Sequence, residues 1–588
     1  MTTPNLYSAT WVLLLAVSAW TADSPPPQAA AVPPWALATL SFSHLSTALE
    51  RTATYANRLL PNSGEIARQV VMSNLFKLPT GGGIKDSLAL IYALDPASTQ
   101  LKDEFAVVLP VADPKAVKTA LVAAYGQPTE SGGVLTFTLP QPLPQPDKTL
   151  VAKLAENRLL AAPDAATLAK LETFLAGKED VFLIGNSAAD ASLVISAQNV
   201  KRTYGATASA LLAVLGELAG PERARQYKAV SELLNKVWQI ETLELRISLA
   251  SDGSTGAIDL IASPQPGTPL AQQLGAPAGA VGADVLRLLL PQSAFFIAWN
   301  INGSAMAQSI RTEAGGPTVE PSPTLKASRE AEKAAADLLE LIGGDASLSV
   351  NALQEQSPAL LLSLHTTEPA KVPARIRSFL EKAVTLLNAD LLASALVNGK
   401  AARAKLKSDT TQHAGSKIET LHFELENVPE DLQASIEVFA GSPPAVSYAI
   451  IGETLVVASG AEGTDLLKQA ILSGQKLLPA GEAAAALQPA ATRQSQLLAS
   501  ITATHLARVI FGNIPTTPKI NLMKLTRSLK NTPVTITGTT RGVLTLHAEV
   551  PVAAADAIGT IFQRLMAANV KFGEPEAPKG GSVPPPAP

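Results

Sequence analysis

A short alternating strand that leads directly into a helix occurs four times along this chain of 588 residues. In each copy apolar and small polar residues alternate with period two, which is typical of a strand with one buried face. A Ser, Thr, Asn or Gln near the end of each strand can cap the helix that follows. The copies lie at 39–45, 194–200, 298–304 and 500–506. Because one supersecondary pattern recurs, we expect the chain to fold as a series of similar modules.

A second pattern is a hairpin of two alternating strands whose second strand exits through proline into a helix. Proline is tolerated in the first turn of a helix, because the N–H that it lacks would be unpaired there anyway. The copies span 87–125, 243–274, 347–388 and 534–566. Their exits are Leu109-x4-Pro114, Ile261-x4-Pro266, Leu364-x4-Pro369 and Leu546-x4-Pro551. Each of these prolines is therefore expected to begin a helix.

A third pattern, a tight hairpin followed by a helix, occurs twice, at 155–162 and 451–458. The order of the three patterns predicts a tandem duplication, each copy holding a long and a short module, with an insertion at about 390–446 in the second copy. The predicted modules are 36–178, 190–280, 290–478 and 495–568. The fold class is α+β, and each module is expected to be an antiparallel sheet with helices packed on one face. An amphipathic helix is predicted at 326–342, packed against its own sheet.

The two ends of the chain differ in composition from the body. Residues 11–19 form an apolar run shorter than the roughly 20 residues that span a bilayer, and Val17-Ser18-Ala19 offers the small residues that signal peptidase prefers. We predict a signal peptide at 1–19, a Pro/Ala-rich linker at 20–35 and a disordered Pro-rich tail at 569–588. The protein is then exported, periplasmic or at the cell surface, with no stable membrane span. Residues 2–10 contain no Lys or Arg, so an uncleaved anchor and a cytosolic N-terminus stay open as alternatives.

Composition excludes several kinds of site. The chain has no cysteine, which excludes disulfides, thiolate metal sites, cysteine nucleophiles and lipid attached to cysteine. Its net charge is −4 and its Lys and Arg residues are scattered singly, so no basic stripe for a nucleic acid is expected.

Short motifs assign no catalytic, cofactor or metal residues. The string at 81–85 superficially resembles a phosphate-binding loop, but it precedes a hairpin instead of opening a helix, and we interpret it as a turn. Ser473 and Lys476 match S-x-x-K without the companion strings, and we interpret this segment as the end of a helix.

Two pairs of histidines occupy equivalent places in the repeats, His365 with His547 and His44 with His505. The other copies have Pro110, Ala262, Asn199 and Gly303 at these places. A shared catalytic role would not tolerate such replacements, so we predict local hydrogen bonding at the corners.

His422 and Glu424 alternate on one predicted strand and so share a face, a geometry compatible with two metal ligands. No third ligand is evident, and a solvated strand face is the favoured interpretation. The chain is therefore predicted to hold no metal and no cofactor.

Three segments carry a resemblance to a group of proteins: 105–125, with its strand, Asp-Pro and helix, the hairpin at 158–162, and 190–200. In these the chain resembles large exported α+β repeat proteins of unknown function found in planctomycetes and verrucomicrobia. The resemblance covers most of 36–568. It implies export and a repeated α+β fold, and it transfers no functional residues.

The sequence therefore favours a non-catalytic exported scaffold or binding protein of the bacterial cell envelope. The alternative is a carrier of a hydrophobic ligand, such as a lipid, held between a sheet and its helices. An enzyme with dispersed active-site residues ranks third. A carrier requires a large apolar cavity, whereas an enzyme requires convergent ionisable residues in one cleft.

Overall fold

The computed structural model describes most of the chain between residues 32 and 572. The described ranges are 32–59, 63–70, 83–95, 105–139, 148–155, 157–176, 189–218, 230–231, 233–275, 279–314, 323–351, 359–389, 396–397, 400–428, 433, 444–460, 462–475, 481–493, 495–513, 516–517, 525–540, 542–567 and 571–572. The predicted signal peptide, most of the predicted linker and nearly all of the predicted tail lie outside these ranges. No helix within them is long and apolar enough to cross a membrane.

The chain divides into two compact units. The N-terminal unit comprises Thr21–Pro277 together with Gly538–Val552, and the C-terminal unit comprises Ala278–Thr537 with Ala553–Pro588 as well as Met1–Trp20. Strands and helices are numbered here in chain order.

The N-terminal unit is built on one antiparallel sheet. Its strands are β1 (Ala36–Phe42), β2 (Ala89–Leu94), β3 (Phe105–Pro110), β4 (Thr129–Ser131), β5 (Val134–Leu139), β6 (Lys148–Ala155), β7 (Arg158–Ala162), β8 (Ala191–Ser196), β9 (Ile240–Leu249), β10 (Thr255–Pro264) and β23 (Leu544–Pro551). They pair in the order β4-β5-β6-β7-β3-β2-β1-β8-β9-β10-β23. Its helices are α1 (Leu45–Leu59), α2 (Ser63–Val70), α3 (Pro114–Tyr125), α4 (Ala165–Leu175), α5 (Ala197–Leu218) and α6 (Pro269–Gly275).

The C-terminal unit is also built on an antiparallel sheet. Its strands are β11 (Ser293–Asn302), β12 (Ile342–Asn351), β13 (Ala359–Thr366), β14 (Leu396–Val397), β15 (Lys400–Ala401), β16 (Arg403–His413), β17 (Ser416–Glu426), β18 (Ala445–Ile451), β19 (Thr454–Ser459), β20 (Leu497–Ile501), β21 (Thr516–Thr517) and β24 (Lys571–Phe572), while β22 (Val534–Thr540) lies across the division. The main sheet pairs in the order β16-β17-β18-β19-β13-β12-β11-β20. The helices are α7 (Gly303–Ala314), α8 (Pro323–Leu339), α9 (Val372–Ala389), α10 (Gly463–Gly474), α11 (Glu482–Thr492), α12 (Ala503–Asn513) and α13 (Val552–Ala567), with 3₁₀ turns at Ala283–Leu288 and Pro369–Lys371.

The strand-to-helix pattern is confirmed at all four places. β1 continues into α1, β8 into α5, β11 into α7 and β20 into α12. The predicted caps are present in two of them, because Ser196 Oγ accepts a hydrogen bond from the Asn199 N–H at 3.2 Å and Asn302 Oδ1 accepts one from the Ala305 N–H at 3.1 Å.

The proline exits follow the prediction only in part. Pro114 begins α3, with Asp113 Oδ1 accepting from two N–H groups of the first turn, and Pro369 begins the 3₁₀ turn that leads into α9. The prediction is wrong for Pro266, since Gly267 with φ of +77° makes a turn and α6 begins only at Pro269. Pro551 still pairs with Thr255 in the sheet, so α13 begins one residue later.

Helices pack on both faces of each sheet, and the prediction of helices on one face is wrong. In the N-terminal unit Ile91 packs with α1 and α3, whereas its neighbours Leu90 and Tyr92 pack with α4 on the other side. In the C-terminal unit Leu361 lies in the core with α10 and Leu455 in the core with α9. Strand residues alternate between faces, so two buried faces require apolar residues at consecutive positions, as in β2.

The helix predicted at 326–342 ends earlier, at Leu339. Ile342 continues the apolar spacing of the helix, but it begins β12 and pairs with Thr366.

The predicted insertion at about 390–446 contains the long hairpin of β16 and β17, which occupies the edge of the sheet. The two units also share one spatial order, β6-β7-β3-β2-β1-β8 in the first and β18-β19-β13-β12-β11-β20 in the second.

Candidate functional site

The histidines at the strand-to-helix corners have structural surroundings. His505 is 6 % exposed, and its Nδ1 lies 3.3 Å from the carbonyl oxygen of Ser293. Burial lowers the pKa of His505, against the opposing effect of the Ser293 carbonyl, so the ring is neutral at pH 7. His44 is exposed, and its carbonyl accepts the Ala48 N–H at 2.8 Å. The predicted hydrogen bonding at the corner is thus confirmed for the ring of His505, whereas His44 makes only the ordinary backbone bond of the first turn of α1.

His422 and Glu424 do share a face of β17, as predicted, but each has its own partner. His422 Nε2 lies 2.9 Å from Asp409 Oδ2, and Glu424 forms an ion pair with Lys407. Among the residues that the structure describes, no group of three or more His, Asp and Glu side chains is placed to hold a metal ion.

The two strings that superficially resemble catalytic motifs are local structure. The carbonyl of Gly83, a residue with φ of +69°, accepts the Ala112 N–H at 2.7 Å, so the described end of the glycine string is a turn beside β3. Ser473 lies in the last turn of α10 and donates its hydroxyl to the Arg287 carbonyl. Both interpretations made from the sequence are confirmed for the residues described.

A row of polar side chains crosses the N-terminal sheet on the face against which α4 packs. The register places Ser41, Ser192, Arg246, Asp259 and His547 opposite one another on β1, β8, β9, β10 and β23. Directly opposed residues of antiparallel strands share a face, so these side chains form one polar row. The sequence could not place Asp259 beside His547, because the two are 288 residues apart.

At the middle of the polar row, Arg246 forms a buried ion pair with Glu244 of the neighbouring row. The Glu244 carboxylate is 6 % exposed and Arg246 is 13 % exposed. Glu244 Oε1 accepts from Ser192 Oγ and from Arg246 Nε, both at 2.7 Å, and Oε2 accepts from Arg246 Nη2 at 2.9 Å. Three hydrogen bonds therefore compensate this buried charge.

The outer end of the row is a histidine between two carboxylates. His547 Nδ1 lies 2.6 Å from Asp259 Oδ1, and its Nε2 lies 3.6 Å from Glu549 Oε1. The hydrogen bond to Asp259 raises the pKa of His547, burial opposes this, and Glu549 adds to the rise. A general base needs one nitrogen free to take a proton from a substrate. Since both nitrogens of His547 face carboxylates, the arrangement stabilises an imidazolium and is suited to holding strands together.

His365, the predicted equivalent of His547, has different surroundings in the C-terminal unit. Its Nε2 is 4.0 Å from a carboxylate oxygen of Glu453, and its ring lies over Gly344, where a Cβ would be 3.0 Å from His365 Cδ2. Both histidines thus face carboxylates, but the single carboxylate beside His365 is farther away than Asp259 is from His547.

A second buried carboxylate lies in the C-terminal unit. Glu419 is 5 % exposed, forms an ion pair with Arg377 and stands opposite Tyr448 in the register. Burial pushes the pKa of Glu419 up, but its hydrogen bond and ion pair with Arg377 outweigh burial, and the net effect is a lowered pKa. Burial first, and then the Glu419 carboxylate, raise the pKa of Tyr448. A carboxylate that stays ionised beside an arginine is a structural ion pair and not a proton donor.

The opposite face of the same five strands is apolar. The register aligns Leu40, Leu193, Leu245, Leu260 and Leu546 in one row across β1, β8, β9, β10 and β23. Parallel rows flank it on both sides, formed by Ala38, Ile195, Leu243, Ala262 and Leu544 and by Ala191, Ile247, Ile258 and Ala548. The second of these rows ends on β1 against Phe42, which is buried. We call these three rows, with Phe105 beside them on β3, the apolar sheet face. No residue of the three rows is charged.

The apolar sheet face is only partly covered. Phe105 is 51 %, Ile258 38 % and Ile247 37 % exposed, and all five leucines of the central row are half-buried. By contrast, Ser41 and Ser192 on the polar face are buried. An antiparallel sheet with one solvated face ordinarily buries its apolar side and exposes its polar side. On β1, β8 and β9 this arrangement is reversed, which is typical of a surface that meets a partner.

The C-terminal sheet repeats this arrangement on a smaller scale. Leu348, Leu362 and Val457 stand opposite one another on β12, β13 and β19 and are half-buried. On the other face of the same strands Ser347 and Ser363 are buried, with their hydroxyl oxygens 2.5 Å apart.

A small apolar pocket opens at the edge of the apolar sheet face. It is lined by Leu40, Ile91, Phe105 and Leu193 together with Ala38 and Ala93, and its volume is about 120 Å³. Sites that enclose whole small molecules have volumes of roughly 300–1,000 Å³. The pocket therefore accommodates one side chain or the end of an alkyl chain, and not an entire lipid.

Comparisons with known proteins give this chain no family: no protein-family model, no curated protein and no solved structure matches it. The candidate site thus rests on the geometry of the two units alone.

Proposed function

We propose that the protein is a non-catalytic, exported binding protein of the bacterial cell envelope, and that the apolar sheet face is the surface on which a partner protein docks. The observation that carries this proposal is the half-exposed apolar rows on one side of β1, β8, β9, β10 and β23, with buried polar residues on the other side of β1, β8 and β9. With strands about 4.8 Å apart and rows about 7 Å apart, the three rows cover on the order of 400 Å². Exposed apolar patches of this size are often functional.

The partner is expected to present a neutral, apolar surface. The three rows consist of Leu, Ile and Ala, so no charge on this face would pair with a charged partner. Burying an unpaired charge against such a face would be costly. Phe105, the most exposed residue of the face, is suited to anchor the contact, because aromatic side chains dominate interface energetics.

A non-catalytic role is supported by the state of the ionisable clusters. Glu244, Glu419 and His547 each have charged partners that neutralise them. The apolar run at 11–19, which ends with the small residues Val17-Ser18-Ala19, supports export. A tandem duplication of a long and a short module is supported by the common spatial order of the strands in the two units.

A carrier of a hydrophobic ligand is the second candidate, and the pocket of about 120 Å³ favours it. That pocket lies on the apolar sheet face, so both functions would use one surface. They differ in the occupant, which is a protein in the first case and a lipid in the second.

Site-specific photocrosslinking in the native envelope separates the two candidates. A photoreactive residue replaces Ile258 on the apolar sheet face or, as a matched control, Gln127 on the exposed connection between α3 and β4 of the same unit. We expect position 258 to crosslink to one defined protein and position 127 not to. Excess purified wild-type protein should compete for this crosslink, whereas an Ile258→Asp variant that remains folded by circular dichroism should not.

The carrier would be established, and the docking proposal overturned, by two results together. Position 258 would crosslink to lipid alone, and native mass spectrometry of the purified protein would show a bound lipid that is lost in Ile258→Asp. Equal crosslinking from positions 127 and 258 would overturn both.

A further inference from the structure

A polar pocket of about 510 Å³ lies in the N-terminal unit, away from the strand rows described above. One wall is a stripe of α5 formed by Lys201, Gly205 and Ser209, which are spaced four residues apart and so share a face of the helix. The other wall is the chain just before β9, with Asn235 and Trp238, and the turn after β10, with Gln265. The volume lies within the range of small-molecule sites.

The second wall is held in place by hydrogen bonds, some of which are made by the lining residue Gln239. Gln198 Nε2 donates to the carbonyl of Ile240 at 2.6 Å, which ties the start of α5 to this wall. Gln239 Oε1 accepts the Leu270 N–H at 2.9 Å, and the Gln265 N–H donates to the Gln239 carbonyl at 2.7 Å. The pocket is thus preformed, which lowers the entropy cost of binding.

Several polar side chains face the pocket without a protein partner. In the described part of the chain, no hydrogen bond or ion pair engages the Lys201 ammonium, the Ser209 hydroxyl or the side-chain amides of Asn235 and Gln265. Lys201 is the only charged residue among the described lining residues. Together these groups offer one cation, two amides that both donate and accept, and a hydroxyl.

Gly205 adds an indication of close approach. Glycine inside a helix is destabilising relative to alanine, so a helical glycine usually has a packing or functional reason. Apart from the backbone of α5 itself, the only atoms of the described residues within 4 Å of the place of a Gly205 Cβ are Cβ and Cγ of Lys201, the nearer at 3.2 Å. No other element in the described part of the chain therefore requires the glycine, and its effect is to leave the pocket floor open beside Lys201.

We propose that this pocket binds an acidic saccharide of one or two rings. The indole of Trp238 provides an apolar surface with an N–H at its edge, which suits a sugar ring with its apolar face and its rim of hydroxyls. The amides of Asn235 and Gln265 match vicinal hydroxyls, and Lys201 pairs with a carboxylate on the sugar. No carboxylate among the described lining residues would repel the anion.

Isothermal titration calorimetry of the full chain with digalacturonate tests the proposal, with cellobiose as the neutral sugar and inorganic phosphate as the simple anion. We expect digalacturonate to bind with a Kd of about 1 mM or tighter and cellobiose at least about tenfold more weakly. Binding of phosphate as tight as that of digalacturonate would mean a plain anion site and would overturn the proposal. So would an absence of digalacturonate binding at about 10 mM.

Variants assign the binding to the pocket. Trp238→Ala should weaken digalacturonate at least about fivefold, and Lys201→Gln should bring its affinity down to that of cellobiose. Lys236→Gln, which removes an exposed lysine outside the pocket lining, is the matched control and should change nothing. If Trp238→Ala does not fold, Ser209→Trp fills the pocket from an exposed position and should abolish binding. Retention of full affinity in Ser209→Trp would place the sugar elsewhere and refute the assignment.

Discussion

Replacing Arg246 by methionine should destabilise the N-terminal unit by about 3–5 kcal/mol. The Glu244 carboxylate is 6 % exposed and accepts three hydrogen bonds, two of which come from Arg246. A hydrogen bond to a charged group is worth about 1.5–3 kcal/mol, so losing two gives a cost of the same size. The carboxylate would keep only Ser192, too little to compensate its burial.

The double variant Arg246→Met with Glu244→Leu should recover most of that loss. An apolar pair of similar volume often replaces a buried ion pair at little cost, so we expect the double variant within about 1–2 kcal/mol of the wild type. The coupling energy between the two sites is then on the order of 2–4 kcal/mol. A double variant as unstable as Arg246→Met would contradict the assignment of both residues to one buried pair.

Native-state hydrogen exchange of the β8 and β9 amides in urea is the suitable assay, because a chain of two units is not expected to unfold in one step. Lys118→Met is the control, since Lys118 and Glu130 form an ion pair with both side chains largely exposed and should contribute nothing measurable. A cost below about 1 kcal/mol for Arg246→Met would refute the reasoning.

Three further outcomes are expected. The pKa of His547 is raised, so its pair with Asp259 stabilises the fold fully below the ordinary histidine value of about 6.5, and this stabilisation is lost as pH rises through the pKa in the folded state. Native-state hydrogen exchange of the β10 amides across this pH range should therefore show a steeper loss of stability in the wild type than in Asp259→Asn. Asp113→Ala should cost about 1 kcal/mol by native-state hydrogen exchange of the α3 amides, because Asp113 Oδ1 caps α3 through the N–H groups of Lys115 and Ala116. Asp113→Asn should lose far less. Gly205→Ala should stabilise α5 by about 0.5–1 kcal/mol, and it should weaken the binding of digalacturonate because the new methyl group shifts Lys201. If the variant is more stable but binds digalacturonate with unchanged affinity, the result counts against the pocket as the binding site.

Local features of the fold could be predicted from the sequence. The alternation at 194–200 and the polar residue that ends it specify both a strand and the cap of a helix, and Ser196 does cap α5. Asp113 followed by Pro114 likewise specifies the start of α3. These signals depend on a few neighbouring residues, so they can be recognised without knowledge of the fold.

Relations across the sheet could not be predicted. That helices cover both faces follows from which strands pair, and consecutive apolar residues in 89–94 were the one local sign of it. His547 was predicted to be structural, but its partner Asp259 becomes visible only through the pairing of β10 with β23. The apolar sheet face has the same origin. Leu193, Leu245 and Leu260 each look like ordinary core residues of separate strands, and only their register shows that they form one half-exposed row.

Thiol labelling at Ile258 tests most directly whether the apolar sheet face is covered by a partner. The chain has no cysteine, so Ile258→Cys carries a unique thiol and Gln127→Cys a matching one on an exposed connection. We expect a maleimide to label both positions in the purified protein, and in the native envelope to label position 127 while position 258 is protected. Equal labelling of position 258 in the envelope and in the purified protein would contradict the account.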